Sequence, residues 1–225
     1  MTEAHELATV ELLGALAYGQ LRSFEATARV IRIAPDARTA DGVATLAMRE
    51  YNSYATLRDH LATRTELPAA VMDRQKPHFD AYFDRAPLDS WFEASVFFAV
   101  GLPLAVDFCR AVAPALDEAT AAAIDRAMAD KAGFERDAIG QLAAQLTDEA
   151  ARERARRITA DLLGRALTSY QGVVTETDAL KVLLAADTGD DESGEHRVKR
   201  LAVSVMGGHR RRSIELGLEH LEDVR

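Results

Sequence analysis

Apolar residues return at steps of three and four along four long stretches of this chain, and most of its six prolines fall between those stretches. Residues so spaced share one face of an α-helix. In the first stretch, 4–33, that face reads Leu7, Val10, Gly14, Tyr18, Leu21, Glu25 and Ala28. Pro35 then stops the helix, because the residue before a proline is pushed out of the α region. The second stretch, 41–63, has Asp41 as its expected N-cap and an inner face of Val43, Leu46, Glu50, Ser53 or Tyr54, Leu57 and Leu61. The third, 89–113, places Glu93, Val96 or Phe97, Val100, Leu104, Asp107 and Ala111 inside, with a kink expected at Pro103. The fourth, 117–146, starts from a cap at Asp117 and turns Ile124, Met128, Lys131, Glu135, Ala138 and Leu142 inward. Residues 68–87 carry Pro68, Pro77 and Pro87 with one short helical piece near 79–83. So long a connection lets the second and third helices run parallel, which predicts an all-α four-helix bundle with a crossover over 1–146.

The remainder, 147–225, reads as a helical appendage: helices over 148–173, 177–186 and 196–221, and a flexible acidic loop, DTGDDESGE, over 187–195. Apolar residues make up 48% of the chain and aromatics only 6%, a globular composition rich in the best helix former, alanine. The longest uncharged apolar stretch, 94–106, holds Gly101 and Pro103 and falls short of the roughly 20 residues a bilayer requires. The N-terminus carries acids where a signal peptide carries lysine or arginine, and the one cysteine, Cys109, excludes an internal disulfide. A cytoplasmic protein without membrane contact is expected. The net charge of −9 opposes non-specific nucleic-acid binding, which depends on Lys and Arg at phosphates.

Glu25, Glu50 and Glu93 occupy helical slots that should be apolar. A buried carboxylate needs a partner, since burying it alone costs several kcal/mol, and three on different bundle helices suggest one shared site. Di-iron carboxylate bundles use such an arrangement: a Glu from each of two helices and Glu-x-x-His from each of the others. Here Glu50-Tyr51-Asn52-Ser53 has serine where histidine is required, and the fourth helix has no histidine. Met128 and Lys131 stand where a carboxylate and an imidazole would be. A protonated lysine can replace a metal's positive charge among carboxylates. Shifting the phase of the fourth helix by a residue or two brings Asp130, Glu135, Asp107 or Asp137 into consideration as further ligands. His60 reads as a surface or cap residue and Cys109 as packing. Two basic runs, 152–157 and 209–212, read either as a phosphate-binding face or as solvated helix surface with local ion pairs.

The stretches VELLGALAYGQLRSFEATARVIRIAPD, MREYNSYATLRDHL, SWFEASVFFAVGLPLAVDF and GGHRRRSIELGL, in that order, resemble the actinobacterial ferritin-like proteins grouped with the MiaE-type tRNA hydroxylases. The resemblance implies a ferritin-like fold and matches Glu25, Glu50 and Glu93 to the family's carboxylate ligands. In the MiaE enzymes a di-iron centre hydroxylates the isopentenyl group of a modified adenosine in tRNA. The chain departs from that ligand pattern at Ser53 and Lys131. Three readings follow. The first is a metal-free ligand-binding or acid–base protein built around Glu25, Glu50, Glu93 and Lys131, with a small hydrophobic molecule as partner near Phe97, Phe98, Met128 and Phe134. The second is an active di-iron hydroxylase with an unusual ligand set, for which tRNA remains a candidate substrate. The third is a structural homodimer.

Overall fold

Thr2 caps the first helix, its hydroxyl accepting the His5 N–H, in the computed structural model, which describes residues 2–129, 131–176, 178–185 and 194–219. That helix, α1 (Glu3–Val30), is buried on every side from Leu12 to Gln20 because α2 (Ala37–Ala62) and the crossover helices α3 (Pro68–Arg74) and α4 (Lys76–Asp84) all pack on it. Its inner face differs from the expected one. Leu7 is 62% exposed, and toward the C-terminus the buried positions are Gln20, Ser23, Ala26, Thr27 and Val30, while Leu21, Glu25 and Ala28 lie at the boundary. The core-facing side of α1 carries polar residues there, so hydropathy alone chose the neighbouring face. The α2 cap also differs. Asp36, directly after Pro35, accepts the Thr39 N–H at 2.7 Å, five residues ahead of the expected cap at Asp41. The inner face of α2 follows the spacing: Val43, Leu46, Glu50, Ser53, Leu57 and Leu61 are all buried.

The third bundle helix is interrupted. α5 (Trp91–Val96) leads into a π turn, Phe97–Gly101, and then α6 (Leu102–Val112). Pro103 brings no N–H to the helix. The chain responds upstream of the proline, where the Leu102 N–H reaches back five residues to the Phe97 carbonyl. The expected bend at Pro103 is thus a π turn beginning six residues earlier, a form of insertion common at functional sites. Gly101 within it has no room for a side chain, since a Cβ would lie 2.8 Å from the Phe97 ring and 3.1 Å from the Tyr82 hydroxyl. The run Trp91–Ala115 is long and apolar enough to cross a membrane, with a mean hydropathy of 1.8, which the expectation from 94–106 alone missed. Within the protein, 72% of its apolar window is buried, as for a central bundle helix.

The fourth bundle element is two helices rather than one. α7 (Glu118–Met128), capped by Asp117, packs on α2 and α6, and α8 (Lys131–Ala143) packs on α5 and the π turn. Ser53 Oγ donates to the Ala127 carbonyl at 2.7 Å. In a continuous helix that carbonyl would serve the Lys131 N–H, so the serine supports the break between α7 and α8.

The C-terminal helices share the core. α9 (Glu149–Glu176) packs on α4, α5 and the π turn, α10 (Ala179–Ala185) on α1, and α11 (Gly194–Glu215) on α6. Leu180, Leu183, Val198 and Leu201 join the apolar cluster formed by α1, α2, α6 and α7, and Ala155, Leu162 and Leu216 join the cluster around the π turn. Of the acidic loop expected over 187–195, residues 187–193 lie outside the described residues, and Gly194 already belongs to α11.

α11 docks through Gly208, His209 and Arg212. A Cβ at Gly208 would fall 2.2 Å from an Asp107 oxygen. Arg212, 2% exposed, donates to Asp107 on α6 at 2.7 Å and to Glu135 on α8 at 3.3 Å. His209 is buried beside Arg212; burial first, then the Arg212 charge, pushes its pKa from 6.5 down to about 4, against weaker opposition from Asp107 and the Val100 backbone. Between pH 6.5 and 4 the unfolded chain therefore binds more protons than the folded one. The contribution is complete above pH 6.5 and is lost as pH falls toward 4, about 3 kcal/mol in all. Chemical denaturation across that window will show the loss in the native chain and a flatter profile in His209→Leu; parallel profiles would show that His209 is not the group responsible.

Candidate functional site

Two helices bring opposite charges together at the centre of the bundle. α2 turns Glu50 inward, and α8 begins with Lys131, whose ammonium donates to the Glu50 carboxylate. Glu50 is 3% exposed and Lys131 7%. The same Nζ reaches Gln20 Oε1 on α1 at 3.4 Å. Cys109 on α6 is near enough to feel both charges, but burial dominates and pushes its thiol up to about 12, leaving it protonated. Gln20 carries no sequence signature of its own. What marks it is its place in the series Leu13, Leu16, Gln20, Ser23 and Thr27, which follows a helical period with polar residues in core slots.

The other two expected glutamates lie elsewhere. Glu25, with its side chain 43% exposed, pairs with Arg29 at 3.0 Å and Arg22 at 3.7 Å. Glu93 belongs to a capping box. It accepts the Ser90 N–H at 3.0 Å while Ser90 Oγ accepts the Glu93 N–H, and Arg154 adds an ion pair at 2.9 Å. Burial alone would raise the Glu93 pKa, but the hydrogen bonds from Arg154 and Ser90 outweigh it and hold the carboxyl below its ordinary value. The expectation that Glu25, Glu50 and Glu93 converge is corrected accordingly. Glu25 lies off the buried face of α1, and Glu93 serves the start of α5 rather than the bundle interior.

A di-iron centre does not fit the described residues. Glu50 has a lysine where a metal would sit, and the Ser53 hydroxyl is committed to backbone carbonyls of Ala127 and Arg49. Asp107 and Glu135 both bind Arg212, and Asp137 is exposed. Asp130 lies outside the described residues. Among the described residues no group of three His, Cys, Asp or Glu side chains could hold a metal ion. His60 pairs through Nε2 with the Thr120 hydroxyl at 3.0 Å, near the cap of α7. Within the two basic runs, Arg154 binds Glu93, Arg156 binds Glu149 and Glu153, Arg210 binds Glu219, and Arg212 is internal.

Beside the charged pair lies an apolar cavity of about 140 Å³. α1 and α4 form one wall, the π turn and α6 another, and α9 with α11 flank its partly open side. Gln20, Ser23, Tyr82, Gly101 and Cys109 are in the lining; Lys131 and Glu50 are not. The aromatic side chains of the cavity are Phe79, Tyr82, Phe83 and Phe108. None of the four residues expected near a pocket lines this one: Phe97 and Phe98 meet at 6.1 Å between ring centres and Phe98 and Phe134 edge-on at 5.9 Å in the apolar cluster around the π turn, and Met128 lies in the cluster with α1 and α2. A smaller polar pocket of about 80 Å³, lined by Arg49, Asn52, Ser53, Thr56, Arg126 and Lys131, opens on the other side of Lys131.

Removing one partner of a buried ion pair leaves the other charge unpaired. Lys131→Met is expected to cost roughly 3–5 kcal/mol in chemical denaturation, and Lys131→Met combined with Glu50→Leu should recover most of that loss. A single variant within about 0.5 kcal/mol of the native chain would mean that the pair does not hold the bundle together.

No curated protein matches the chain. A family model described as the ferritin-like domain of actinomycetes matches residues 3–187, which covers the bundle, α9 and α10. Together with the helical architecture, the match establishes that the chain belongs to the actinomycete ferritin-like domain family.

Proposed function

We propose that this ferritin-like protein is a metal-free relative of the MiaE-type hydroxylases, and that it binds a small hydrophobic molecule in the cavity flanked by α9 and α11. The cavity carries this reading. Its volume of about 140 Å³ is near the roughly 150 Å³ of an apolar cavity known to take up benzene, so a molecule of about one ring suits it. Lys131 neutralises Glu50, the carboxylate that a di-iron centre would have used, and thereby fills the electrostatic role of a metal. Because Lys131 and Glu50 do not line the cavity, their position favours binding over acid–base chemistry on the occupant. The internal commitment of Arg212, and the carboxylate partners of Arg154, Arg156 and Arg210, favour a small ligand over tRNA. The fully buried, protonated Cys109 suits a reducing cytoplasm.

Two measurements test the proposal. Protein expressed in iron-supplemented medium and purified without chelator is expected to lack stoichiometric iron by mass spectrometry; about two irons per chain would overturn the metal-free reading. Ethylbenzene at about ten times its Kd should raise the melting temperature by about 3–6 °C, and Ala105→Phe, which fills the cavity, should abolish the rise. No shift in the native chain, or an equal shift in the filled variant, would remove the cavity from the function.

A further inference from the structure

The cavity's polar groups are neutral donors, and their arrangement narrows the chemistry of what can occupy it; the argument rests on the binding reading above. Gln20 and Ser23 sit one helical turn apart on α1, both buried and both in the lining. The Gln20 oxygen is already engaged by the Lys131 ammonium. An amide is planar with its NH2 on the opposite side from its oxygen. Lys131 therefore fixes the orientation of the side chain and turns the Gln20 N–H donors away from itself. Those donors have no hydrogen-bond acceptor among the described residues, and neither does the Ser23 hydroxyl. Across the cavity on α4, the Tyr82 hydroxyl is buried against Gly101 without a partner. Buried donors are normally satisfied, so the partnerless Tyr82 hydroxyl needs an explanation, and the Gln20 amide and Ser23 hydroxyl, which are accessible from the same cavity, are free to share it. Charge offers none. Lys131 and Glu50 neutralise each other behind the wall, and among the described residues no carboxylate, lysine or arginine lines the space. An ion entering would lose its water without gaining a counter-charge.

We propose that the natural occupant is an uncharged, mainly apolar molecule bearing an oxygen acceptor, such as a ketone, aldehyde or ether, whose oxygen accepts from Gln20 and Ser23 on α1, with the Tyr82 hydroxyl as a further donor. Lys131 is then a positioning residue, acting on the ligand only through the Gln20 amide.

Three probes of similar size separate the possibilities: ethylbenzene, acetophenone and benzoate, titrated into the full chain by calorimetry. Dehydrating a carbonyl costs acetophenone affinity in a cavity that offers it no donor. The native chain should nevertheless bind acetophenone at least as tightly as ethylbenzene, and should not bind benzoate detectably. The double variant Gln20→Leu, Ser23→Ala should lower the ratio of acetophenone to ethylbenzene affinity by about five- to tenfold while leaving ethylbenzene binding in place. Ser23→Ala alone, which keeps every partner of Lys131, should move the ratio in the same direction and serves if the double variant does not fold. An unchanged ratio in both variants, or a native chain that prefers benzoate, would overturn the assignment while leaving hydrocarbon binding intact. If none of the probes binds, the cavity reading fails and this inference falls with it.

Discussion

Glu50 and Lys131 together hold two full charges away from water, and each would cost several kcal/mol there without the other. The arrangement of the bundle follows from satisfying that pair. α2 must present Glu50 inward, so its whole register is fixed by Val43, Leu46, Ser53, Leu57 and Leu61 on the same face. Lys131 reaches Glu50 from the first described residue of α8. Ser53, one turn beyond Glu50, bonds the Ala127 carbonyl in the last turn of α7. The residue that stands where a ligand histidine would be expected therefore has a structural use: it bonds the chain close to the lysine that pairs with Glu50.

A second internal cation does for the C-terminal helices what Lys131 does for the bundle. Arg212 joins α11 to Asp107 on α6 and Glu135 on α8, so three elements are tied at one guanidinium. Arginine suits this role because its planar fork can donate to two carboxylates at once. Gly208 allows α11 to approach closely enough for the contact to form. Once α11 and α9 are seated, the gap above the π turn becomes a walled, partly open pocket. The π turn has its own cause in Pro103, and Gly101 inside it keeps the space beside Phe97 and Tyr82 clear.

How much of this could be read from the residues depends on how clearly hydropathy marks a face. α2 is unambiguous: its inner positions are aliphatic apart from Glu50 and Ser53, and the expected face is the buried one. The buried series of α7 and α8, including Met128, Lys131, Ala138 and Leu142, is also legible even though the helix break is not. α1 was misread because the middle of the helix is apolar on all sides, which removes the contrast that sets a phase, and its inner face then continues through Gln20, Ser23 and Thr27. Glu93 was misread for a different reason. Ser90-x-x-Glu93 is itself a capping-box pattern, and the local signal outweighs the long-range one. The cavity was out of reach, because it is made by α1, α4, α6, α9 and α11 together and no single stretch of sequence encodes it.

The same facts explain how a ferritin-like bundle can hold an apolar cavity next to its most polar residues. A di-iron site in the bundle interior requires open coordination positions and access for small molecules, which keeps charge and water near any bound substrate. Here the charge is closed on itself. Glu50 and Lys131 neutralise each other, and what the pair presents toward the cavity is the uncharged Gln20 amide and the protonated Cys109 thiol. The pair therefore exerts its effect as orientation rather than as field: it decides which end of the Gln20 amide faces the cavity. α1 supplies the neutral donors, while the size and shape of the space are set by the C-terminal helices α9 and α11 that flank it. Substitutions on the inner surfaces of those helices can change the shape of the space without touching the ion pair between α2 and α8.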